Sequence, residues 1–299
     1  MLSIIAIFIG GFIFFTNKQN VVQTSSSKIK VNTSFYPLYF FASEIGGERA
    51  EVNNITPAGA EPHDYDPTAR DIAEIEKSNL LILNGGVEAW GNKMQENLNN
   101  TPVTVVIAGK GLLTKELLEE GEKIQDPHIW LDPQLAKKEV SKITEGFITV
   151  DPSNKSFYQN NQENLDDKLD ALDQKFKKGL STCHEKDIIT SHAAFGYLAA
   201  RYGLNQVSIS GLSPDEEPSS KQLIEVANFA KEHNIRYIFF ESLVSPKLSE
   251  TIAHEVGAKT LVLDPLEGIS DDESKQGKNY LTVMEENLSN LQEALQCSK

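Results

Sequence analysis

Cysteine is almost absent from this chain. Cys183 and Cys297 are the only two in 299 residues and no CxxC pair occurs, which excludes a cysteine-ligated structural zinc, an iron–sulfur cluster and a thioredoxin-type redox motif. Basic residues are in deficit, 28 against 43 acidic ones, for a net charge of -15. That balance repels phosphate backbones and attracts cations, so nucleic acid is not an expected partner. The chain also lacks a GxSxG elbow, a GxxxxGK loop and an HExxH pair, and Gly85, Gly86 and Gly91 make no dinucleotide fingerprint. Serine hydrolysis, P-loop nucleotide chemistry and zincin-type proteolysis are left without a motif.

Long apolar stretches are scarce as well. Residues 2–15 form one, followed by Thr16, Asn17 and Lys18. It falls short of the ~20 residues of a membrane span and reads as a signal-peptide core or a short N-terminal anchor, occupying residues 1–28. The remainder is expected outside the cytoplasm, in the periplasm or on the outer side of the cytoplasmic membrane. No Lys or Arg precedes the run and no small-x-small cleavage site stands out after it, so cleavage and uncleaved anchoring both stay open. No cysteine lies near enough for N-terminal lipid attachment. In an oxidising compartment an isolated pair such as Cys183 and Cys297 favours a disulfide over metal ligation. The bridge is expected to pin the C-terminal helix, two buried free thiols being the alternative.

What is present is the composition of a folded protein, too long for one ordinary core, so two domains are expected. From residue 29 short apolar strands (30–34, 51–55, 80–83, 103–106) alternate with amphipathic helices (36–46, 68–77, 90–98). Strands that are apolar on both faces belong to parallel sheets covered by helices. Between Pro133 and Leu180 two helices, 133–150 and 152–180, follow one another without a strand. The second has Asp151 to cap it, Pro152 for its first turn, and Phe157, Leu165, Leu169, Leu172 and Phe176 near helical spacing. It would span ~40 Å. Alternation resumes with strands at 187–190, 206–209, 237–240 and 259–263 and ends in a helix over 280–297. The fold class is α/β: two parallel-sheet α/β lobes, residues 29–150 and 181–299, joined by a single long rigid helix over 151–180.

Six histidines separate by setting. His63 lies in EPHDYDP, His128 in DPHIWLDP and His192 in ITSHAAFGYL. The first two share a preceding proline and nearby acids. His192 follows a strand directly, at the carboxyl end where doubly wound sheets place their ligands. Neutral imidazole suits Zn²⁺ at ~2.0 Å, and an adjacent acid can accept the second ring N–H. For a fourth ligand, LDPLEG offers Asp264 at a strand end and Glu267 with a longer reach. Asp264 is preferred on placement, with Glu267 and water open. His184, His233 and His254 have ordinary settings, the last two near helix C-termini, where a cation is favoured. Asp215, Glu216 and Glu217 precede a proline and a helix start and read as a solvated loop and cap.

Five segments occur in sequence: EPHDYDPTARDI, DPHIWLDP, SHAAFGYLAARYGL, GLSPDEEPSSKQL and LDPLEG. With these, from about residue 30 to the C-terminus, the chain resembles the zinc and manganese solute-binding proteins of ABC importers. The resemblance implies a metal held in the cleft between two lobes, with His63 and His128 from the first lobe and His192 and a LDPLEG carboxylate from the second. It implies a binding protein rather than an enzyme, a monomer that carries Zn²⁺ as transported substrate to an ABC importer permease. Histidine at position 192 resembles the zinc branch, and glutamate there the manganese branch. Three imidazoles and one carboxylate suit a small four-coordinate ion, whereas Mn²⁺ prefers more oxygen. Many zinc members carry a histidine-rich loop between the first two ligands, but residues 109–125 contain no histidine. One rival is a zinc-dependent hydrolase, because three histidines with an open fourth position also describe a catalytic site. The other is a surface adhesin with incidental metal.

Overall fold

Strands that are apolar on both faces need cover on both, and two halves of the chain supply it in the same way. The computed structural model describes residues 28–119 and 121–298; the expected signal or anchor run over residues 2–15 lies outside them. The first half runs β1 (Ile29–Thr33), α1 (Tyr36–Gly46), β2 (Ala50–Asn54), α2 (Ala69–Glu76), β3 (Leu80–Leu83), α3 (Gly91–Leu98) and β4 (Thr104–Ile107). Its sheet is wholly parallel in the order β2-β1-β3-β4. A hairpin, β5 (Glu116–Glu119) and β6 (Glu122–Gln125), precedes α4 (Pro133–Val150) and α5 (Lys155–Leu180).

The second half is β7 (Asp187–Thr190), α6 (Gly196–Tyr202), β8 (Asn205–Ser208), α7 (Ser220–Glu232), β9 (Tyr237–Phe240), α8 (Lys247–Val256), β10 (Lys259–Val262), α9 (Asp271–Lys275) and α10 (Tyr280–Ala294). Its sheet is again parallel, β10-β9-β7-β8. The α/β class with two parallel sheets and one long helix is therefore the observed architecture. No helix among the described residues is long and apolar enough to cross a membrane.

Period-two alternation explains why the strands are apolar throughout. Leu80 and Ile82 face a core shared by both halves, while Leu81 and Leu83 face a smaller one with Ile75, Met94 and Leu98. The second sheet divides likewise: Ile188 and Phe239 join the shared core, and Ile189 and Ile238 pack with Val226, Ala230 and Ile252.

Helix α5 runs through the shared core with Leu165, Leu169, Leu172 and Phe176 buried. At ~1.5 Å per residue its 26 residues span about 39 Å. It packs against α1 and α4 at one end and α10 at the other. It starts later than the sequence suggests, because Pro152–Asn154 form a 3-10 turn instead. Asp151 closes that turn by accepting from Ser153 Oγ (2.6 Å), Asn154 Nδ2 (2.7 Å) and Tyr158 Oη (2.7 Å).

Helix α10 ties the halves together at its first residue. The Tyr280 ring stacks on Phe40 and meets Phe41 edge-on, and its hydroxyl donates to the Trp130 carbonyl (2.5 Å). At the other end Cys183 and Cys297 form a disulfide, as expected, just beyond α5 and α10. The hairpin β5–β6 and the short α9 do not register as periodic patterns in the sequence. ELLE and EKIQ are too short and too charged to alternate, and α9 rests mainly on a capping box between Ser270 and Glu273.

Candidate metal centre

Four side chains meet where the carboxyl ends of the two sheets face each other. One ligand atom from each of His63, His128, His192 and Glu267 can be chosen so that all lie within 4.8 Å of one another. Glu267 Oε1 is 3.2 Å from His63 Nε2, 3.2 Å from His128 Nε2 and 3.4 Å from His192 Nε2. His192 Nε2 and His128 Nε2 are 3.3 Å apart. A tetrahedron drawn around zinc with bonds of ~2.0–2.1 Å has edges of about 3.3–3.4 Å. The three Glu267 separations and the His128–His192 separation match those edges, and the whole group lies within 4.8 Å.

Each donor is held by local structure. His63 sits in the loop between β2 and α2, whose far end is fixed by a capping box between Thr68 and Asp71, with Tyr65 Oη donating to Asp71 (2.8 Å). It is the donor nearest solvent, its side chain 10% exposed against 1% or less for the other three. His128 precedes the 3-10 turn Ile129–Leu131, and His192 lies two residues past the end of β7, before the 3-10 turn Ala193–Phe195.

The two fully buried histidines are fixed in the same manner. Asp126 Oδ1 accepts from both the backbone N–H (2.9 Å) and Nδ1 (2.8 Å) of His128. Glu241 Oε1 accepts from both the backbone N–H (3.2 Å) and Nδ1 (2.7 Å) of His192. With Nδ1–H committed, a neutral imidazole turns its Nε2 lone pair toward the centre. The sequence points to acids beside His63 and His128 for this role. Asp126 fills it at His128, whereas Glu61 accepts only the His63 backbone N–H (3.1 Å). Glu241 escapes sequence reading, although its place just past β9 follows the same strand-end rule that singled out His192.

Of the two LDPLEG carboxylates, the geometry brings Glu267, and not the preferred Asp264, among the three imidazoles. Asp264 Oδ1 accepts from the Leu266 N–H (2.7 Å) and Oδ2 from Ser242 Oγ (2.5 Å), so its carboxylate serves its own turn. Leu266 is left-handed at φ 62°, a conformation that costs a leucine about 1–2 kcal/mol. Full burial of its side chain and the Asp264 bond offset that cost. The sharp turn carries Glu267 into the cleft, and Asn287 of α10 clamps it through the Asp264 N–H (2.8 Å) and C=O (2.7 Å).

The electrostatics follow from burial and pairing. Burial opposes a charged His128 or His192, but Asp126, Glu241 and Glu267 outweigh it and hold both above the ordinary histidine range. Burial would raise Glu267, yet His192, His128 and His63 hold it well below the usual carboxylate value. Glu61 is pushed up to about 8 by burial and by the Glu267 charge. Asp264 is raised to about 6, chiefly by burial. The neighbouring Asp64 carboxyl, with some burial, raises Asp215. His233 pairs with Asp187 (2.7 Å) and stacks on Phe229, and it, His184 and His254 are outside the four-residue group.

Known proteins share this arrangement of sequence and fold. The chain is 40% identical over 285 residues to the high-affinity zinc uptake system protein ZnuA of Bacillus subtilis, covering 91% of this chain and 89% of that protein. It is 38% identical over 286 residues to the zinc-binding lipoprotein AdcA of Streptococcus pneumoniae, but spans only 56% of that longer protein. The crystal structure of the Zn(II)-bound ZnuA-like domain of Streptococcus pneumoniae AdcA superposes with a TM-score of 0.77, covering 90% of this chain and 99% of that one at 38% identity. The family model described as zinc-uptake complex component A, periplasmic, matches residues 31–294, and the chain belongs to that family.

Proposed function

We propose that this protein binds one Zn²⁺ through His63 Nε2, His128 Nε2, His192 Nε2 and Glu267, outside the cytoplasm, and delivers it to an ABC-type importer permease. The observation that carries the reading is that Glu267 Oε1 lies 3.2 to 3.4 Å from all three imidazole Nε2 atoms and that His128 Nε2 and His192 Nε2 lie 3.3 Å apart, lengths that match tetrahedral edges for zinc. The lobes 29–150 and 181–299, bridged by 151–180, belong to the same proposal, as does a monomer without nucleic-acid partners. Zinc is favoured over Mn²⁺ because three imidazoles and one carboxylate leave little oxygen for the harder ion. Family membership and the relatives' names support delivery to an importer.

A closed fourth position argues against a hydrolase. Catalytic zinc keeps one site open for water or substrate, whereas here Glu267 occupies the fourth corner and is almost fully buried. Titration of the metal-free protein with Zn²⁺, Mn²⁺, Co²⁺ and Ca²⁺, followed by calorimetry, tests the reading. Tight one-to-one zinc binding that His192→Ala abolishes is expected. Failure to bind any divalent metal below micromolar concentration, or zinc-dependent ester turnover, would sink it.

A further inference from the structure

Tyr197 supplies no donor to the metal centre, yet its hydroxyl is used in full by the opposite half of the molecule. The ring belongs to the first turn of α6 and is 4% exposed. Its Oη donates to the Asp126 carbonyl (3.1 Å) and accepts from the backbone N–H groups of Thr114 (2.8 Å) and Lys115 (3.0 Å). One O–H and two lone pairs are the whole capacity of a hydroxyl oxygen. All three go to backbone of the segment that carries hairpin β5–β6.

These three backbone groups form the neck of that hairpin. The Asp126 N–H donates to the Lys115 carbonyl (2.9 Å), so the neck is closed by one backbone bond and by the phenol. Lys115 Nζ lies 5.9 Å from the Tyr197 ring centroid, within the range of a cation–π contact. The preceding residue sharpens the fit: a Cβ on Gly196 would stand 2.8 Å from Asp126 Oδ2. A side chain there would press on the Asp126 carboxylate. Asp126 in turn holds His128, through the paired bonds of its Oδ1.

We infer that Tyr197 is a positioning residue, an interlobe clasp that locks the hairpin neck and, through Asp126, the His128 ring, and so slows release of the bound metal. The inference rests on the zinc-carrier reading. With Tyr197 and the neck on opposite lobes, the three bonds exist only while the lobes are juxtaposed. In the juxtaposed state a phenylalanine would leave two N–H groups and one carbonyl without their partner, whereas separated lobes expose them to water. The loss therefore acts on escape rather than capture.

The test compares wild type with Tyr197→Phe, which keeps the ring, and with Gly196→Ala, which disturbs the same contact from the other side. Zinc-loaded protein is mixed with excess chelator in a stopped-flow instrument, and capture is measured separately. Both variants should release zinc about tenfold faster with unchanged capture rates. Deuterium uptake over residues 112–126 of the zinc-loaded protein should rise in both. Release at the wild-type rate overturns the clasp, and so does faster release with unchanged exchange in that segment. A wild-type protein that binds no zinc removes the carrier reading as well, whereas wild-type binding with an inert Tyr197→Phe removes the clasp alone.

Discussion

Replacing Glu267 by glutamine leaves the size of the side chain intact and takes away the one negative charge that faces all three Nε2 atoms at 3.2, 3.2 and 3.4 Å. The side chain is 1% exposed, so water cannot readily take its place. Removing one member of a buried ionic set costs about 3–5 kcal/mol. Zinc Kd should therefore rise about a hundredfold to a few thousandfold.

Asp264→Asn is the matched comparison. An asparagine oxygen can still accept from the Leu266 N–H, and Ser242 can rotate to accept from the new amide, so the turn and the aim of Glu267 persist. Its effect on zinc should stay under about tenfold. Competition against a chromophoric chelator of known zinc affinity measures both, with thermal melting of the metal-free proteins as the folding control. Near wild-type binding by Glu267→Gln, with severe loss in Asp264→Asn, would refute the assignment of the carboxylate.

Further expectations concern protons and the frame. His192 and His128 are held above the usual histidine range without metal, so protons compete with zinc at pH values above the ordinary histidine range. Zinc affinity should climb as pH rises through that range, with proton release in calorimetry in buffers of different ionisation enthalpy. Burial raises Glu139 well above its ordinary 4.5, and neither of its carboxyl oxygens has a hydrogen-bond partner among the described residues. A carboxyl raised on folding stays protonated when the unfolded chain would lose its proton, so it costs nothing below the unfolded value and progressively more above it. Glu139→Gln should therefore raise the melting temperature at about pH 8 and change it little near pH 4. Cys297→Ser opens a bridge spanning 114 residues; a loss of about 2–4 kcal/mol is expected in denaturant melts. Zinc affinity should be retained, because neither cysteine is among the four donors or the carboxylates that hold their rings.

Much of the molecule was legible because the signals are local. Strands such as LLIL must serve two cores, and that alone implies a parallel sheet with helices on both sides. Helix α5 declared itself by apolar spacing from Phe157 to Phe176, about five turns. His192 could be singled out because a residue directly after a parallel strand faces the cleft whatever else the chain does. Proline and acids around His63 and His128 marked them as candidates.

What the amino-acid order determined by itself, then, is the layer plan, the long helix and the three imidazoles, since each rests on periodicity or on position relative to one strand. Only the tertiary structure brings Glu267 rather than Asp264 to the imidazoles, because that placement depends on a left-handed leucine at 266 that no residue type announces and that burial and the Asp264 bond make tolerable. Only it could bring Glu241 to His192 across 49 residues of chain, or the Tyr197 hydroxyl to backbone amides 82 and 83 residues away. Such contacts depend on how two sheets are set against each other, and no local pattern of residues encodes that distance.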